Sequence, residues 1–99
     1  MKNKYQVIIT RQAQQDVLRI IGYYNQQQQG LGKKFATELQ KKFRQLRNAP
    51  YASSVVHGNK IFPSLKKFPF YIGISVDAQL KVITIWAIIH HKQNHENWL

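Results

Sequence analysis

Ninety-nine residues suit one domain with a single core, and 43% hydrophobic with 12% aromatic residues describe a globular chain rather than a disordered one. Fifteen Lys and Arg against four Asp and Glu leave a formal net charge of +11, a surface that attracts nucleic acid, ribosomes or an acidic protein. The lack of cysteine excludes disulfides and thiolate metal sites, and no apolar run is long enough to cross a membrane.

Met1 to Lys4 leads straight into a strand pattern with no signal-peptide hydrophobic stretch behind it. A soluble cytoplasmic chain is therefore expected, as a single domain over residues 1–99. Residues 5–10 read as a first strand, with Thr10 placed to cap a helix. Ala13, Val17, Ile20, Ile21 and Tyr24 then form one helical stripe, and Gln26 to Gln29 make a solvated last turn. Gly30-Leu31-Gly32 breaks that helix and reverses the chain. Phe35, Leu39, Phe43 and Leu46 carry a second helix, with Lys33, Lys34, Lys41, Lys42, Arg44 and Arg47 on its other faces, and Asn48-Ala49-Pro50 stops it. The two helices are expected to form an antiparallel hairpin.

The remainder is strand-like. Residues 60–67 read as an edge strand interrupted by Pro63. Phe70, Ile72, Ile74 and Val76 set one face of a stronger strand, and Asp77-Ala78-Gln79 turn the chain. In residues 82–89, strict alternation puts Val82, Thr84, Trp86 and Ile88 on one face and Ile83, Ile85, Ala87 and Ile89 on the other. One face packs on the helices; the other is covered by a partner or left as an apolar patch. Asn94 is placed to cap a short C-terminal turn or helix carrying His95, Glu96 and Trp98. The expected fold is α+β: an antiparallel four-stranded sheet with an N-terminal helical hairpin on one face, in the order β-α-α-β-β-β. Charge is uneven, with ten basic and two acidic residues in positions 1–50 and five and two in positions 51–99.

Three local patterns together resemble the RelE/ParE superfamily of bacterial toxins, and ParE-like members in particular. Tyr23-Tyr24, a polar run, then Gly30-Leu31-Gly32 and Phe35 are similar to the tyrosine pair, turn and phenylalanine joining the family's two helices. Lys66-Lys67-Phe68-Pro69-Phe70-Tyr71-Ile72 is similar to the basic segment that opens its third strand. Ile88-Ile89-His90-His91-Lys92, with Glu96 and Trp98 following, is similar to its last strand and tail. The patterns cover roughly residues 5–98. His95, where proline is usual, and Gln93, where a basic residue is common, depart from the ParE pattern. The resemblance implies the toxin half of a type II toxin–antitoxin pair, with a small acidic antitoxin as partner. For that partner, Trp86, Ile88 and Phe70 are the expected contacts.

The family holds two chemistries, and the resemblance leaves both open. ParE-like members poison DNA gyrase; RelE-like members cleave mRNA on the ribosome. Cleavage through the 2′-hydroxyl needs a base, an acid and a cation at the phosphate, roles suited to histidine and to lysine or arginine. The candidates for catalysis are His91, Lys67, Lys92 and His95; those for target or nucleic-acid contact are Lys60, Lys66, Lys67, His91 and Lys92. Against ribonuclease chemistry, Arg11, Arg19, Arg44 and Arg47 all fall in the helices, whereas the ribonuclease members place an arginine on the sheet. Lysine lacks its bidentate fork. His90, at a strand end, reads as a hydrogen-bonded structural histidine, with His91 facing the opposite side. Lys66-Lys67 read equally as solvated charge, Trp98 as a packing lock for the tail, and Tyr23 and Tyr24 as interhelical core and rim. Adjacent strand histidines diverge and only Glu96 is near, so no metal and no cofactor is expected. The favoured reading is a gyrase-directed toxin, ahead of a ribosome-dependent endonuclease and of a plain basic nucleic-acid-binding module.

Overall fold

The computed structural model describes residues 4–51 and 55–93. The elements run β1 (Gln6–Ile9), α1 (Arg11–Gln27), α2 (Leu31–Asn48), β2 (Val55–His57), β3 (Lys60–Phe62), β4 (Phe70–Asp77) and β5 (Val82–His90). Thr10 caps α1 as its sequence position implies: its Oγ1 accepts the Ala13 N–H at 3.2 Å. The chain reverses over residues 28–30, one step earlier than the glycine pattern indicates, and Gly32 already belongs to the first turn of α2. A side chain at Gly32 would lie 2.7 Å from the Ile21 carbonyl oxygen, so glycine is what lets the two helices meet so closely. The Asn25 side-chain oxygen accepts the Gly32 N–H at 2.9 Å, satisfying a donor that the start of α2 cannot bond internally.

The four expected strands are present, joined by a short fifth, β2, and the sheet order is β1-β5-β4-β3-β2. The sheet is mixed rather than purely antiparallel. β1 pairs with β5 in parallel, Gln6 opposite Val82 and Ile9 opposite Ile85, while β2/β3, β3/β4 and β4/β5 are antiparallel. The cause is the helical hairpin. α1 leaves the end of β1 and passes Ile88, whose N–H bonds to Asp16; α2 then brings the chain back to where β1 began, the Tyr5 N–H donating to the Arg47 carbonyl at 2.9 Å. From there β2 and β4 run against β1, while β3 and β5 run in its direction. β3 is also shorter than the sequence indicates. Pro63 ends it, and only an isolated bridge between Ser64 and Tyr71 continues the pairing.

The core lies between the hairpin and one face of the sheet. Ala13, Ile20, Phe35, Leu39 and Leu46 meet Ile61, Leu65, Phe70, Ile72, Ile74, Val76, Ile83, Ile85 and Ile88. Tyr24, Phe35, Phe68 and Phe70 join edge-on, with ring centroids 5.1–5.6 Å apart for the Tyr24–Phe68, Phe35–Phe68 and Phe35–Phe70 pairs. Burial, and then the neighbouring Tyr23, push the Tyr24 phenol above its ordinary pKa.

β5 does not alternate strictly. Gly73 is opposite Ala87 and Ile74 opposite Ile85, so Trp86 is an extra residue, a β-bulge. The bulge shifts the phase: Ile83 and Ile85 face the helices before it, and Ile88 does so after it. Ala87 and Ile89 turn to the other face and bury with Phe62, flanked by Tyr71 and Trp86. The second face of β5 is thus closed by a small cluster of the chain's own side chains.

Candidate functional site

Three surfaces carry the residues with chemistry. The first is the sheet face turned away from the helices. Trp86 lies flat over Gly73, where an added Cβ would come within 2.9 Å of the indole, so glycine makes the seat for that ring. Phe62 meets Trp86 edge-on at 5.7 Å, and the Lys60 ammonium stands 5.9 Å above the indole. At the end of the same face, His91 Nε2 is 2.9 Å from the Ser64 hydroxyl and its ring is 4.5 Å from Tyr71. The Pro69 carbonyl accepts the His91 N–H at 2.8 Å, which ties this histidine to the loop before β4.

His90 points the other way, as its place beside His91 in the strand implies. Its ring meets Phe70 edge-on at 5.2 Å, and its Nδ1 accepts the Lys92 N–H at 3.0 Å. That bond leaves the neutral ring its proton on Nε2. The Gln93 side-chain oxygen accepts the His90 N–H at 3.0 Å, so His90 organises the turn that ends β5. Among the described residues, no group of three or more His, Asp or Glu side chains is gathered to hold a metal ion. His95, Glu96 and Trp98, with the expected C-terminal turn, lie outside the described residues.

The second surface is the flank of α2 that faces the β3–β4 loop. Glu38 lies 3.6 Å from both Lys41 and Lys67. Lys33, Lys34, Thr37 and Lys67 line a groove of about 610 Å³ against Phe68. Burial, then the neighbouring Lys66 charge, lower the Lys42 pKa. Lys67 therefore sits on the helix side of the fold, whereas His91 and Lys60 stand on the opposite sheet face. Two of the candidate catalytic residues, Lys67 and His91, therefore stand on different surfaces.

The third surface is the other flank of α2. Ile9, Val17, Leu18, Ile21, Ala36, Leu39 and Phe43 line an apolar groove of about 390 Å³ between the helices. It continues along β1, the last strand of the sheet order on this side, where Val7, Ile9, Phe43, Arg44 and Arg47 line about 370 Å³. Leu18 is 70% exposed. This groove is absent from the expectation drawn from sequence, which assigns partner binding to Trp86, Ile88 and Phe70. The structure places Ile88 and Phe70 in the core beneath the helices, 4% and 7% exposed, and only Trp86 on the outer sheet face. The available signal was Leu18, a leucine off the Ala13–Tyr24 stripe.

Asp16 was likewise missed. It is 6% exposed, and its carboxylate accepts the Ile88 N–H at 3.1 Å as well as bonds from Gln12 and Arg19. β1 ends opposite Ile85, so beyond that point β5 has no strand on this side among the described residues, and α1 supplies the acceptor instead.

The fold is shared with chains of bacterial toxin–antitoxin systems. A chain of the chromosomal ParDE toxin–antitoxin system from P. aeruginosa superposes with a TM-score of 0.75 at 17% identity, covering 90% of this chain and 98% of that one. A chain of the toxin–antitoxin complex RelBE2 from Mycobacterium tuberculosis gives a TM-score of 0.62 at 13% identity, covering 88% and 98%. At these identities the likeness speaks for the fold. No match is found among curated proteins. The family model described as ParE toxin of type II toxin–antitoxin system, parDE, matches residues 7–95, and the chain belongs to that family.

Proposed function

We propose that this ParE-type toxin arrests growth in the bacterial cytoplasm by protein contact with a DNA topoisomerase of the gyrase type, and that a small acidic antitoxin neutralises it. The observation that carries the target is the division of the candidate catalytic groups. A base at His91 and a cation at Lys67 would have to act on one phosphate, yet Lys67 pairs with Glu38 of α2 while His91 bonds Ser64 on the opposite face. All four arginines, the better phosphate clamps, lie in α1 and α2. The antitoxin reading is supported by the groove of α1, α2 and β1. It offers apolar depth for an amphipathic segment and Arg44 and Arg47 at its end for carboxylates. Of the contacts expected from sequence, Trp86 serves a partner that also reaches the outer sheet face.

A second reading, ribosome-dependent mRNA cleavage, draws on the outer face, where Lys60, Trp86, Tyr71 and His91 share one surface. The test is induction of the gene alone in a bacterial host and then with its neighbouring reading frame. Growth arrest relieved by the neighbour is expected, and unimpeded growth of the singly induced strain contradicts both readings.

A further inference from the structure

The groove of α1, α2 and β1 leaves the lysines on the other flank of α2 unexplained. Lys34 and Lys41 flank Glu38 at i, i+4 and i+7 spacing, so all three share one side of the helix. Lys67 reaches the same carboxylate from the β3–β4 loop, Lys33 and Lys34 open the groove beside Phe68, and Lys42 and Lys66 are close enough to repel. Six lysines thus share this flank, two of them 3.6 Å from the Glu38 carboxylate. Such a concentration of like charge is unfavourable in the isolated chain and is relieved by a dense array of anions.

The chemistry of the flank selects among polyanions. An acidic protein segment draws most of its affinity from apolar anchors seated in pockets. Among the described residues, the one large apolar side chain lining this groove is Phe68, already packed edge-on against Tyr24 and Phe35. Lysine without arginine provides point charges that meet phosphate from many directions, without the planar fork that suits arginine to bidentate recognition. Seven residues separate Lys34 from Lys41, roughly 10 Å along the helix axis, or about three nucleotide rises of a duplex strand. We propose that this lysine flank binds the phosphate backbone of nucleic acid, with little sequence preference, on a surface separate from the antitoxin groove. The proposal does not depend on which enzyme or particle the toxin attacks.

The test is anisotropy titration of the purified full chain against labelled duplex DNA and single-stranded RNA, each of about 20 nucleotides per strand, at a series of salt concentrations. With four lysines engaged, duplex affinity falls about a hundredfold between roughly 50 and 200 mM salt. The variant combining Lys34→Gln, Lys41→Gln, Lys66→Gln and Lys67→Gln flattens the log–log salt dependence by about three to four. Its circular dichroism should match the parent chain, since these side chains are exposed. Glu38→Gln, which removes the competing carboxylate, tightens binding severalfold, an effect opposite in sign to damage. Comparison of the two probes shows whether duplex or single strand fits better. An unchanged salt slope in the folded fourfold variant overturns the proposal, as does an equal loss from Arg44→Gln with Arg47→Gln. So does loss of antitoxin binding in the fourfold variant with nucleic-acid affinity intact, which would assign the flank to an acidic protein.

Discussion

On one flank of α2, Arg44 and Arg47 border a groove floored by Phe43, Leu39 and Ile9; on the other, Lys34, Lys41 and Lys67 crowd Glu38 beside an aromatic ring that is already packed. Both flanks are basic, and a net charge does not distinguish them. What differs is whether apolar surface remains open beneath the charge. Where it does, charge can orient a partner that also buries area; where it does not, charge is the whole interaction and is screened by salt within about 10 Å at 0.1 M. One helix thus presents two basic surfaces of different physical kind.

The largest effect comes from removing what both flanks share. Phe35→Ala deletes a fully buried ring contacting Tyr24, Phe68 and Phe70, and should cost about 3–5 kcal/mol in denaturant unfolding. Loss of both binding activities together is expected once the hairpin loosens. Leu18→Glu separates the flanks. It charges the apolar groove at an exposed position, so antitoxin affinity measured by calorimetry should weaken by about 2 kcal/mol or more while the unfolding midpoint and nucleic-acid binding hold. Unchanged antitoxin affinity would move the partner off this groove.

Asp16→Ala touches neither flank directly. It leaves the Ile88 N–H buried without its acceptor, and a loss of about 1–3 kcal/mol in the unfolding free energy is expected. Asp16→Asn, which keeps an acceptor oxygen, should recover part of it. The smallest effect is electrostatic. Burial, and then Lys66, hold the Lys42 ammonium below its ordinary pKa, so Lys66→Gln should move that pKa upward in an NMR titration of the lysine side chains. The sign for stability follows: while Lys42 is lowered in the folded chain, the unfolded chain binds the extra proton, and stability rises with pH across the window up to the ordinary lysine value. Lys66→Gln narrows that window.

Local signals were the legible ones. The Thr10 cap, the Phe35–Leu46 stripe, the stop at Asn48-Ala49-Pro50 and the inward face of β4 each depend on residues a few positions apart, and each is found in place. The parallel pairing of β1 with β5 joins residues 6–9 to 82–85, and its direction depends on where the hairpin returns the chain, which no local pattern encodes. The bulge at Trp86 was hidden because β5 is apolar on both faces, so a change of phase leaves no mark in its hydrophobic pattern. Asp16 lay in the Ala13–Ile20 stripe, but its meaning required an N–H seventy-two positions away. At the candidate site, the sequence offers His91 and Lys67 for their chemistry as side chains, yet sequence order could not tell that a sheet lies between them.

The most direct test of the toxin's target is supercoiling by purified gyrase in the presence of the antitoxin-free chain. Inhibition that persists in His91→Ala and Lys67→Ala, and disappears when antitoxin is added, is the expected result. Full gyrase activity, together with codon-positioned mRNA cleavage on translating ribosomes that those two substitutions abolish, would contradict it.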